Sequence, residues 1–397
     1  MRYSMAGCIV LIFAWTVGAQ DGLVDSLDTT SFRFASGKGE AEVVDGRFGK
    51  ALQLNYLGNS KSVFATRPAR ATPEWDKAAG LSFWVKGNGH DGFGGLQLIW
   101  NEDYAARYDV AFPINETEWQ KVTIAWRDLI PVLPSPNAKP LDPAGNPPSK
   151  ISQIGFGKWW YWRDAGALSF AIDDLRLEPV VELDTTDYTP RSGALGRVVE
   201  KLKAGKPITV VTMGDSLTDV KHWTNQKTNW PAMLKAKIKE QWGSDVTVVN
   251  PAIGGTQLRQ NLVLMPLWLK EVPEPDLVTV CFGYNDWDAG MRGALFEETH
   301  QDAVNRIRRA TKGKSDVLLM TPARALTRWD DMAELCEATR KAAVARKAGL
   351  VDLEAAFAMA GRDDRARLFA ADKVHLSQSG QDVIAEAVVA ALSHAAR

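Results

Sequence analysis

The sequence predicts a multidomain protein in which an antiparallel β-sandwich of the jelly-roll type precedes an α/β domain with a doubly wound, five-stranded parallel sheet. Its 397 residues exceed the usual length of one domain. Residues 20–180 contain short alternating apolar runs separated by Gly, Asn, Asp and Pro, a pattern typical of antiparallel strands. After residue 201, apolar β-branched runs instead alternate with amphipathic stretches of helical period, which indicates βαβ units.

The first nineteen residues have the pattern of a signal peptide. Arg2 provides a positive charge, residues 8–15 (CIVLIFAW) form a short apolar core, and Val17, Gly18 and Ala19 supply the small residues that precede a cleavage site. The apolar core is too short to span a bilayer as a permanent anchor. We therefore expect a secreted or periplasmic protein whose mature form does not bind a membrane.

The predicted β-sandwich covers residues 20–180. Its clearest strand-like runs lie at 80–86, 96–100, 119–126, 151–157 and 168–177. These runs are not separated by helical periodicity, so the strands should pair antiparallel in two packed sheets. The stretch 131–149 contains seven prolines and is predicted to be a long surface loop.

A polar stretch at 181–200 is predicted to connect this domain to a second domain at 201–397. The five predicted strands of the second domain lie at 208–213, 246–250, 277–282, 317–320 and 350–353. The predicted helices between and after them lie at 230–241, 296–310, 332–348 and 381–394. Apolar strands that alternate with amphipathic helices predict a parallel sheet covered on both faces.

Composition and charge argue against several classes of partner. The formal net charge is −1, and no Lys/Arg stripe suggests binding to nucleic acid or to an anionic membrane. Two of the three cysteines, Cys281 and Cys336, lie in apolar runs and are predicted to be buried side chains rather than a disulfide or a metal pair. The predicted chemistry needs no metal and no organic cofactor. The sequence leaves open whether Asp173 and Asp174 help to hold a structural Ca²⁺, for which two carboxylates are too few to decide, and it leaves the oligomeric state open.

Polar segments follow the predicted strands of the second domain at the points where those strands end. They are 214–217 (GDSL), 250–256 (NPAIGGT) and 283–286 (GYND), and a fourth polar segment, 372–375 (DKVH), lies near the C-terminus. In open α/β sheets the functional groups gather beyond the carboxyl ends of the strands. These four segments are therefore expected to meet in one site.

In this order, the four segments resemble the four blocks of the GDSL or SGNH hydrolase superfamily, a resemblance that covers residues 205–395 and implies a flavodoxin-like sheet. The resemblance maps the family's functional residues onto Ser216, Gly255, Asn285 and His375, with Asp372 as the third member of a triad. Aligning the leading Asn of the second block favours Gly255 over its neighbour Gly254, and this choice stays open.

The residue types themselves predict the same chemistry. A serine hydroxyl needs a base to become a nucleophile, and histidine is the side chain that most often serves as one at neutral pH, so His375 is the natural base for Ser216. Asp372 can orient the imidazole and stabilise its protonated form. The backbone N–H groups of Ser216 and Gly255 and the side-chain amide of Asn285 would then surround the oxyanion that forms from an ester carbonyl.

Less specific interpretations exist for each residue taken alone. A Ser after Gly-Asp is commonly a helix cap, and a single His or Asn is commonly structural, so the prediction depends on the joint occurrence. Asp215 and Asp286 are predicted to support their loops through local hydrogen bonds. Three further side chains next to the motifs, His222, Trp223 and Trp287, are candidates for substrate contact or for packing at the edge of the sheet.

The first domain bears on the substrate. Its segments 119–129, 150–157 and 168–179 are similar to the last strands of galactose-binding-like sandwiches found in carbohydrate-binding modules. An aromatic cluster at 159–162 (WWYW) fits either sugar stacking or packing against the second domain, because alternate residues of a strand face opposite ways.

Together these features predict a secreted carboxylic-ester hydrolase that deacetylates an acylated polysaccharide or oligosaccharide through an acyl-enzyme. The alternatives are a lipase, thioesterase or arylesterase of the same superfamily, or a non-catalytic glycan-binding protein.

Overall fold

The computed structural model describes residues 22–35, 38–58, 62–162, 166–191, 193–221 and 228–397. The predicted signal peptide therefore lies outside the described residues. The N-terminal part of the described chain contains twelve strands: β1 Leu23–Asp25, β2 Arg33–Phe34, β3 Gly39–Asp45, β4 Lys50–Tyr56, β5 Val63–Pro68, β6 Gly80–Gly87, β7 Phe93–Trp100, β8 Asp103–Pro113, β9 Gln120–Ala125, β10 Ile130–Pro131, β11 Ile151–Lys158 and β12 Leu168–Glu178.

These twelve strands form two six-stranded sheets. One sheet has the order β3-β4-β12-β6-β9, with β1 also paired to β12, and the other has the order β10-β8-β7-β11-β5-β2. Every pair of neighbouring strands in the two sheets is antiparallel. The antiparallel arrangement predicted from the alternating runs is confirmed.

The two sheets face each other across an aromatic core. Phe83 of the first sheet meets Phe112 and Phe156 of the second edge to face, with ring centroids 5.0 Å apart in both pairs. All three side chains are fully buried or nearly so. Edge-to-face packing of this kind adds to the free energy gained by burying aromatic surface, so it holds the sandwich together.

The proline-rich stretch 131–149 is a long loop with many exposed residues, as the sequence predicts, but parts of it are buried. After Pro131 it forms no regular strand, but Val132, Ala138 and Leu141 are buried. The Tyr108 hydroxyl donates to the backbone carbonyl of Lys139 at 2.5 Å and so ties the loop to β8. Proline removes backbone donors that would need partners, which allows an irregular segment to be partly buried at low cost.

The C-terminal part contains five parallel strands flanked by helices. The strands are β13 Ile208–Gly214, β14 Val246–Val249, β15 Leu277–Cys281, β16 Asp316–Met320 and β17 Gly349–Val351. The helices are α1 Gly196–Lys203, α2 Trp230–Trp242, α3 Leu258–Val263, α4 Met265–Glu271, α5 Tyr284–Asp288, α6 Gly293–Ala310, α7 Ala333–Arg346, α8 Leu353–Ala360 and α9 Gln378–Ala395.

The strand order of this sheet is β14-β13-β15-β16-β17, with all four pairings parallel. The chain thus winds first to one side of β13 and then to the other, which is the flavodoxin-like order. The reversal creates a crevice beyond the carboxyl ends of β13, β14 and β15. The predicted doubly wound, five-stranded sheet is confirmed.

The two parts pack directly against each other. Trp159, Tyr161 and Trp162 of the sandwich share one buried apolar cluster with Val211 and Phe282 of the α/β part. The two parts also make polar contacts with each other. The Arg306 guanidinium donates to the carbonyls of residues 127 and 128 at 2.8 and 3.1 Å, and Arg309 Nη2 lies 3.2 Å from an Asp128 carboxylate oxygen. An apolar contact closed by such charge-assisted hydrogen bonds favours a fixed arrangement over a loose tether.

Within the described ranges, none of the helices combines the length and the apolar character needed to cross a bilayer.

Candidate active site

The candidate nucleophile lies immediately after β13. Ser216 is the second residue beyond the strand and is 8 % exposed. The backbone N–H groups of Thr218 and Asp219 both donate to the Asp215 carbonyl, at 3.0 and 2.9 Å, and wind the chain into a tight turn. Gly214 allows this turn because a Cβ at that position would lie 2.2 Å from the Thr218 hydroxyl oxygen. The turn therefore presents Ser216 at the carboxyl edge of the sheet.

The candidate base lies on a second turn, just before α9. Residues 370–375 are held by backbone hydrogen bonds from Lys373 N to the Ala370 carbonyl and from Ala370 N to the His375 carbonyl, at 2.9 and 2.7 Å. Lys373 has a left-handed φ of 63°, a conformation that tight turns require. Two residues later, Ser377 caps α9 by accepting the Gly380 N–H. Helix α9 thus begins at Gln378, three residues before the stretch 381–394 that its helical pattern predicts.

The two turns bring three side chains into one hydrogen-bonded line. The Ser216 Oγ lies 2.9 Å from His375 Nε2, and His375 Nδ1 lies 2.7 Å from an Asp372 carboxylate oxygen. The other Asp372 oxygen accepts the backbone N–H groups of Val374 and His375. With Nδ1 donating to the carboxylate, Nε2 carries the lone pair that accepts the serine proton.

The electrostatics of the line suit this proton transfer. Partial burial tends to raise the pKa of Asp372, but the hydrogen bonds from the His375 ring and from two backbone amides outweigh it and lower the pKa below 3.8. The carboxylate therefore stays ionised at neutral pH and stabilises an imidazolium at His375.

The loop after β14 supplies the second candidate oxyanion donor. Gly255 has a left-handed φ of 80°, and the loop is closed by a hydrogen bond from Thr256 N to the Ile253 carbonyl at 3.3 Å. The N–H of Gly254 already donates to an Asp219 carboxylate oxygen at 3.0 Å. Among the described residues, no acceptor is assigned to the N–H of Gly255 or of Ser216. Of the two adjacent glycines, Gly255 is thus the one with a donor to offer.

The third candidate donor is the Asn285 side chain, at the start of α5 beyond β15. Its amide nitrogen lies 3.1 Å from the Thr256 carbonyl oxygen and 3.4 Å from an Asp215 carboxylate oxygen. Asn285, which follows β15, therefore connects the loops after β13 and β14 through Asp215 and Thr256. These two residues are the chain neighbours of Ser216 and Gly255. Both N–H groups of the Asn285 amide have acceptors in this arrangement, so donation to a developing oxyanion requires exchange of one of them, such as the long bond to Asp215.

Two fully buried carboxyl groups hold the backbone around these loops by accepting N–H groups. The Asp215 side chain accepts the Leu217 N–H at 3.0 Å, and the Asp286 side chain accepts the Leu258 N–H at 3.0 Å. Burial raises the pKa of Asp215 to about 7 and that of Asp286 to about 8. Asp215 thus makes the local hydrogen bond that the sequence predicts. The Asp286 bond is not local, because it reaches the first residue of α3, 28 positions away in the chain.

Of the three side chains that the sequence proposes for substrate contact, the structure describes one. His222 and Trp223 lie outside the described residues. Trp287 is half-buried on α5, two residues after the candidate oxyanion donor Asn285, and the guanidinium groups of Arg292 and Arg328 lie 5.1 and 5.5 Å from its ring centroid. These cations occupy aromatic surface that a substrate would need, so packing accounts for Trp287 better than stacking on a ligand does.

Sequence reasoning missed one residue that positions the site. Asp219 is nearly buried, and its two carboxylate oxygens accept the N–H groups of Lys221 and Gly254. It thereby ties the loop after β13 to the loop after β14. The only signal in the sequence is an acidic residue three positions after the serine, in a segment where Asx turns are common.

Among the side chains with a described position, no three or more His, Cys, Asp or Glu groups come together in an arrangement that could hold a metal ion.

Comparison with known proteins agrees with this geometry. Residues 212–383 match the model of the GDSL-like Lipase/Acylhydrolase family, a stretch that includes Ser216, Asn285 and His375. Proteins named thioesterase 1/protease 1/lysophospholipase L1 from two strains of Escherichia coli, K12 and CFT073, are each 31 % identical over 123 residues, which is 31 % of this chain. The chain spans only 55 % of the length of these curated relatives.

Solved structures also resemble part of the chain. An acetylxylan esterase from Geobacillus stearothermophilus is 24 % identical with a TM-score of 0.40, covering 48 % of this chain and 96 % of its own. An alpha/beta hydrolase from the metagenome of Lake Arreo in Spain is also 24 % identical with a TM-score of 0.40, covering 47 % of this chain and 95 % of its own.

Proposed function

Starting from a GDSL-like lipase/acylhydrolase domain at residues 212–383, we propose that this protein is a serine carboxylic-ester hydrolase acting on acetylated polysaccharides outside the cytoplasm. The observation that carries the catalytic part is the line from Ser216 to His375 to Asp372, with distances of 2.9 and 2.7 Å. The Ser216 end of this line lies next to the loops that carry the other two candidate oxyanion donors, Gly255 and Asn285.

The proposed reaction has two steps. The Ser216 oxygen attacks the ester carbonyl carbon while its proton moves to His375 Nε2, and the carbonyl oxygen becomes an oxyanion held by the donors of Ser216, Gly255 and Asn285. The C–O bond to the alcohol then breaks, and the imidazolium gives its proton to the leaving alkoxide. Water activated by the neutral His375 attacks the acyl-enzyme, which releases the carboxylic acid and restores Ser216.

The proposal for the substrate rests on the rest of the chain. The signal-like segment 1–19 supports export to where polysaccharides occur. The segments of the sandwich that are similar to carbohydrate-binding modules support a glycan. The sandwich also packs directly against the α/β part rather than hanging from a long linker. A domain fixed so close to the candidate site can contribute to substrate binding.

Acetate release tests the proposal. The full chain would be incubated with acetylated xylan, acetylated mannan and acetylated pectin, beside p-nitrophenyl acetate, with Ser216→Ala as the matched control. We expect acetate from at least one polysaccharide at a rate that Ser216→Ala abolishes. Turnover of the aryl ester alone would refute the polysaccharide substrate. Hydrolysis by Ser216→Ala equal to that of the wild type would refute the serine mechanism. Hydrolysis by neither protein above the protein-free background would favour the glycan-binding alternative.

One observation favours a second candidate function. The Escherichia coli relatives are named as a thioesterase and lysophospholipase and are 31 % identical over 123 residues. The same Ser216 chemistry would cleave thioesters and long-chain lipid esters. A series of p-nitrophenyl esters from acetate to palmitate separates the two, because an acetylesterase should lose kcat/KM as the chain lengthens. A rise in kcat/KM toward long chains would favour the thioesterase or lysophospholipase activity.

A further inference from the structure

One exposed aromatic side chain of the sandwich lies beside the candidate active site of the α/β part. In the cluster 159–162, Trp159 and Tyr161 are almost completely buried and Trp162 is 9 % exposed, whereas Trp160 is 44 % exposed. The three buried rings belong to the apolar cluster shared by the two parts. Packing between the domains therefore accounts for three of the four aromatic residues, and Trp160 needs another explanation.

The turn that contains Trp160 is held in place by the buried side chain of its neighbour Tyr161. The Tyr161 ring stacks on Trp159 with centroids 5.7 Å apart and an interplanar angle of 9°, and its hydroxyl donates to an Asp109 carboxylate oxygen at 3.1 Å. That carboxylate is fully buried and lies 3.2 Å from Arg107 Nε. A buried, hydrogen-bonded network of this kind holds the turn rigidly.

Trp160 itself rests on this fixed base. Its ring contacts Tyr161 edge to face at 5.6 Å, and its backbone N–H donates to the Ser62 hydroxyl at 3.0 Å. The side chain is thus oriented by both its ring and its backbone although nearly half of its surface is open to solvent. Orienting an exposed indole this way suits a surface that binds a flat partner.

The far edge of the indole reaches the candidate oxyanion loop. A Cβ built on Gly255 would lie 3.9 Å from the Cη2 atom of Trp160, which is ordinary van der Waals contact. The backbone N–H of Gly255 is a candidate oxyanion donor, together with the backbone N–H of Ser216 itself. Trp160 therefore lies against the loop that carries the Gly255 donor, although it belongs to the other domain.

We propose that Trp160 is a specificity-determining residue that stacks on the sugar ring carrying the ester and so positions its acetyl group at Ser216. This inference rests on the proposed acetylesterase function. A pyranose ring presents a face of C–H groups that packs against an indole, whereas its hydroxyls remain in water. A small ester without a ring leaves this surface unused.

Kinetics on two substrates test the role of Trp160. Trp160→Ala, Trp160→Phe and the wild type would be compared on acetylated xylooligosaccharides and on ethyl acetate, both followed by acetate release. Phe48→Ala is the matched control, because Phe48 is a 59 % exposed aromatic residue in the turn between β3 and β4, which belong to the other sheet. For Trp160→Ala we expect KM for the oligosaccharide to rise about tenfold, with values for ethyl acetate within about twofold of the wild type.

Binding without turnover provides a second readout. In the Ser216→Ala background, calorimetry with deacetylated xylooligosaccharide should show an affinity about tenfold lower when Trp160 is also replaced by Ala. Trp160→Phe should keep most of the affinity because it retains an aromatic face. The Phe48→Ala control should bind as the parent does.

The outcomes separate this inference from the proposed function. Equal losses on both substrates, or no loss on either, would overturn the stacking role of Trp160 while leaving acetylesterase activity in place. A wild-type enzyme that hydrolyses ethyl acetate but releases no acetate from the oligosaccharides would overturn the proposed function, and the stacking role with it. A loss confined to the oligosaccharides supports both.

Discussion

The buried carboxyl of Asp286 gives a quantitative test of the structure. One oxygen accepts the Leu258 N–H, whereas the other has no hydrogen-bond partner among the described residues. Burial, reinforced by the nearby Asp215 carboxyl, raises the pKa of Asp286 from 3.8 to about 8, against the opposing effects of the Leu258 N–H and Arg259. Asp286→Asn keeps the shape and the accepting oxygen and removes the titration.

The expected effect follows from the proton that the folded state retains. Because the folded pKa lies above the unfolded value, the protonated carboxyl stabilises the fold fully below pH 3.8. This contribution is lost as the pH rises to about 8. One pKa unit corresponds to about 1.4 kcal/mol, so the free energy of unfolding of the wild type should fall relative to Asp286→Asn by on the order of 6 kcal/mol across this window.

Urea unfolding followed by tryptophan fluorescence, at intervals from pH 4 to 9, measures this difference. Asp316→Asn is a matched comparison, because Asp316 is also buried, accepts the Val198 N–H, and has a pKa raised by burial to only about 6. Its difference from the wild type should level off two pH units earlier than that of Asp286→Asn. A wild-type minus Asp286→Asn difference that stays constant from pH 4 to 8 would refute the reasoning.

Substitutions at three further residues probe the candidate site by steady-state kinetics on p-nitrophenyl acetate. Asn285→Ala should lower kcat by about 10²- to 10³-fold with little change in KM, since one oxyanion donor is removed, and an unchanged kcat would contradict that role. Asp372→Asn should lower kcat by up to about 10⁴-fold, because His375 Nδ1 loses its ionised partner, and a pH–rate profile identical to that of the wild type would argue against the triad. Asp219→Ala should lower kcat by about tenfold by releasing the Gly254 N–H, and Asp219→Asn should restore most of it if the accepting oxygen is what matters.

Hydrophobic periodicity was enough to predict the sheet of the α/β part but not all of its helices. The strands β13 to β17 are short and apolar, so their runs stand out and their ends agree with prediction to within two residues, although β14 at the edge of the sheet is only partly buried. Helix α3 gave no such signal, because all six of its residues are buried, including Arg259, Gln260 and Asn261. A helix buried on every side lacks the polar face on which an amphipathic pattern depends.

The chemistry-bearing residues were predictable because their places at the strand ends depend only on the order of strands and motifs. The choice between Gly254 and Gly255 was not, since it is decided by the Asp219 carboxylate, which lies 35 residues away in the chain. The orientation of the 159–162 cluster was also out of reach. In a strand, successive side chains would alternate between two faces. Residues 160–162 instead form a 3-10 turn, and the ring of Tyr161 stacks on the ring of Trp159, which precedes the turn.

The distance along the chain between Ser216 and His375 has a consequence for how activity returns during refolding. The two residues are 159 positions apart, whereas His375 and Asp372 are separated by three. The acid–base pair can form as soon as its own turn closes, but the nucleophile meets its base only after the intervening strands and helices have assembled. Closing so long a loop carries an entropic cost that only the completed sheet offsets. Hydrolytic activity is therefore a reporter of the last stage of folding, and a chain with native-like helix content is still inert as long as α9 has not docked.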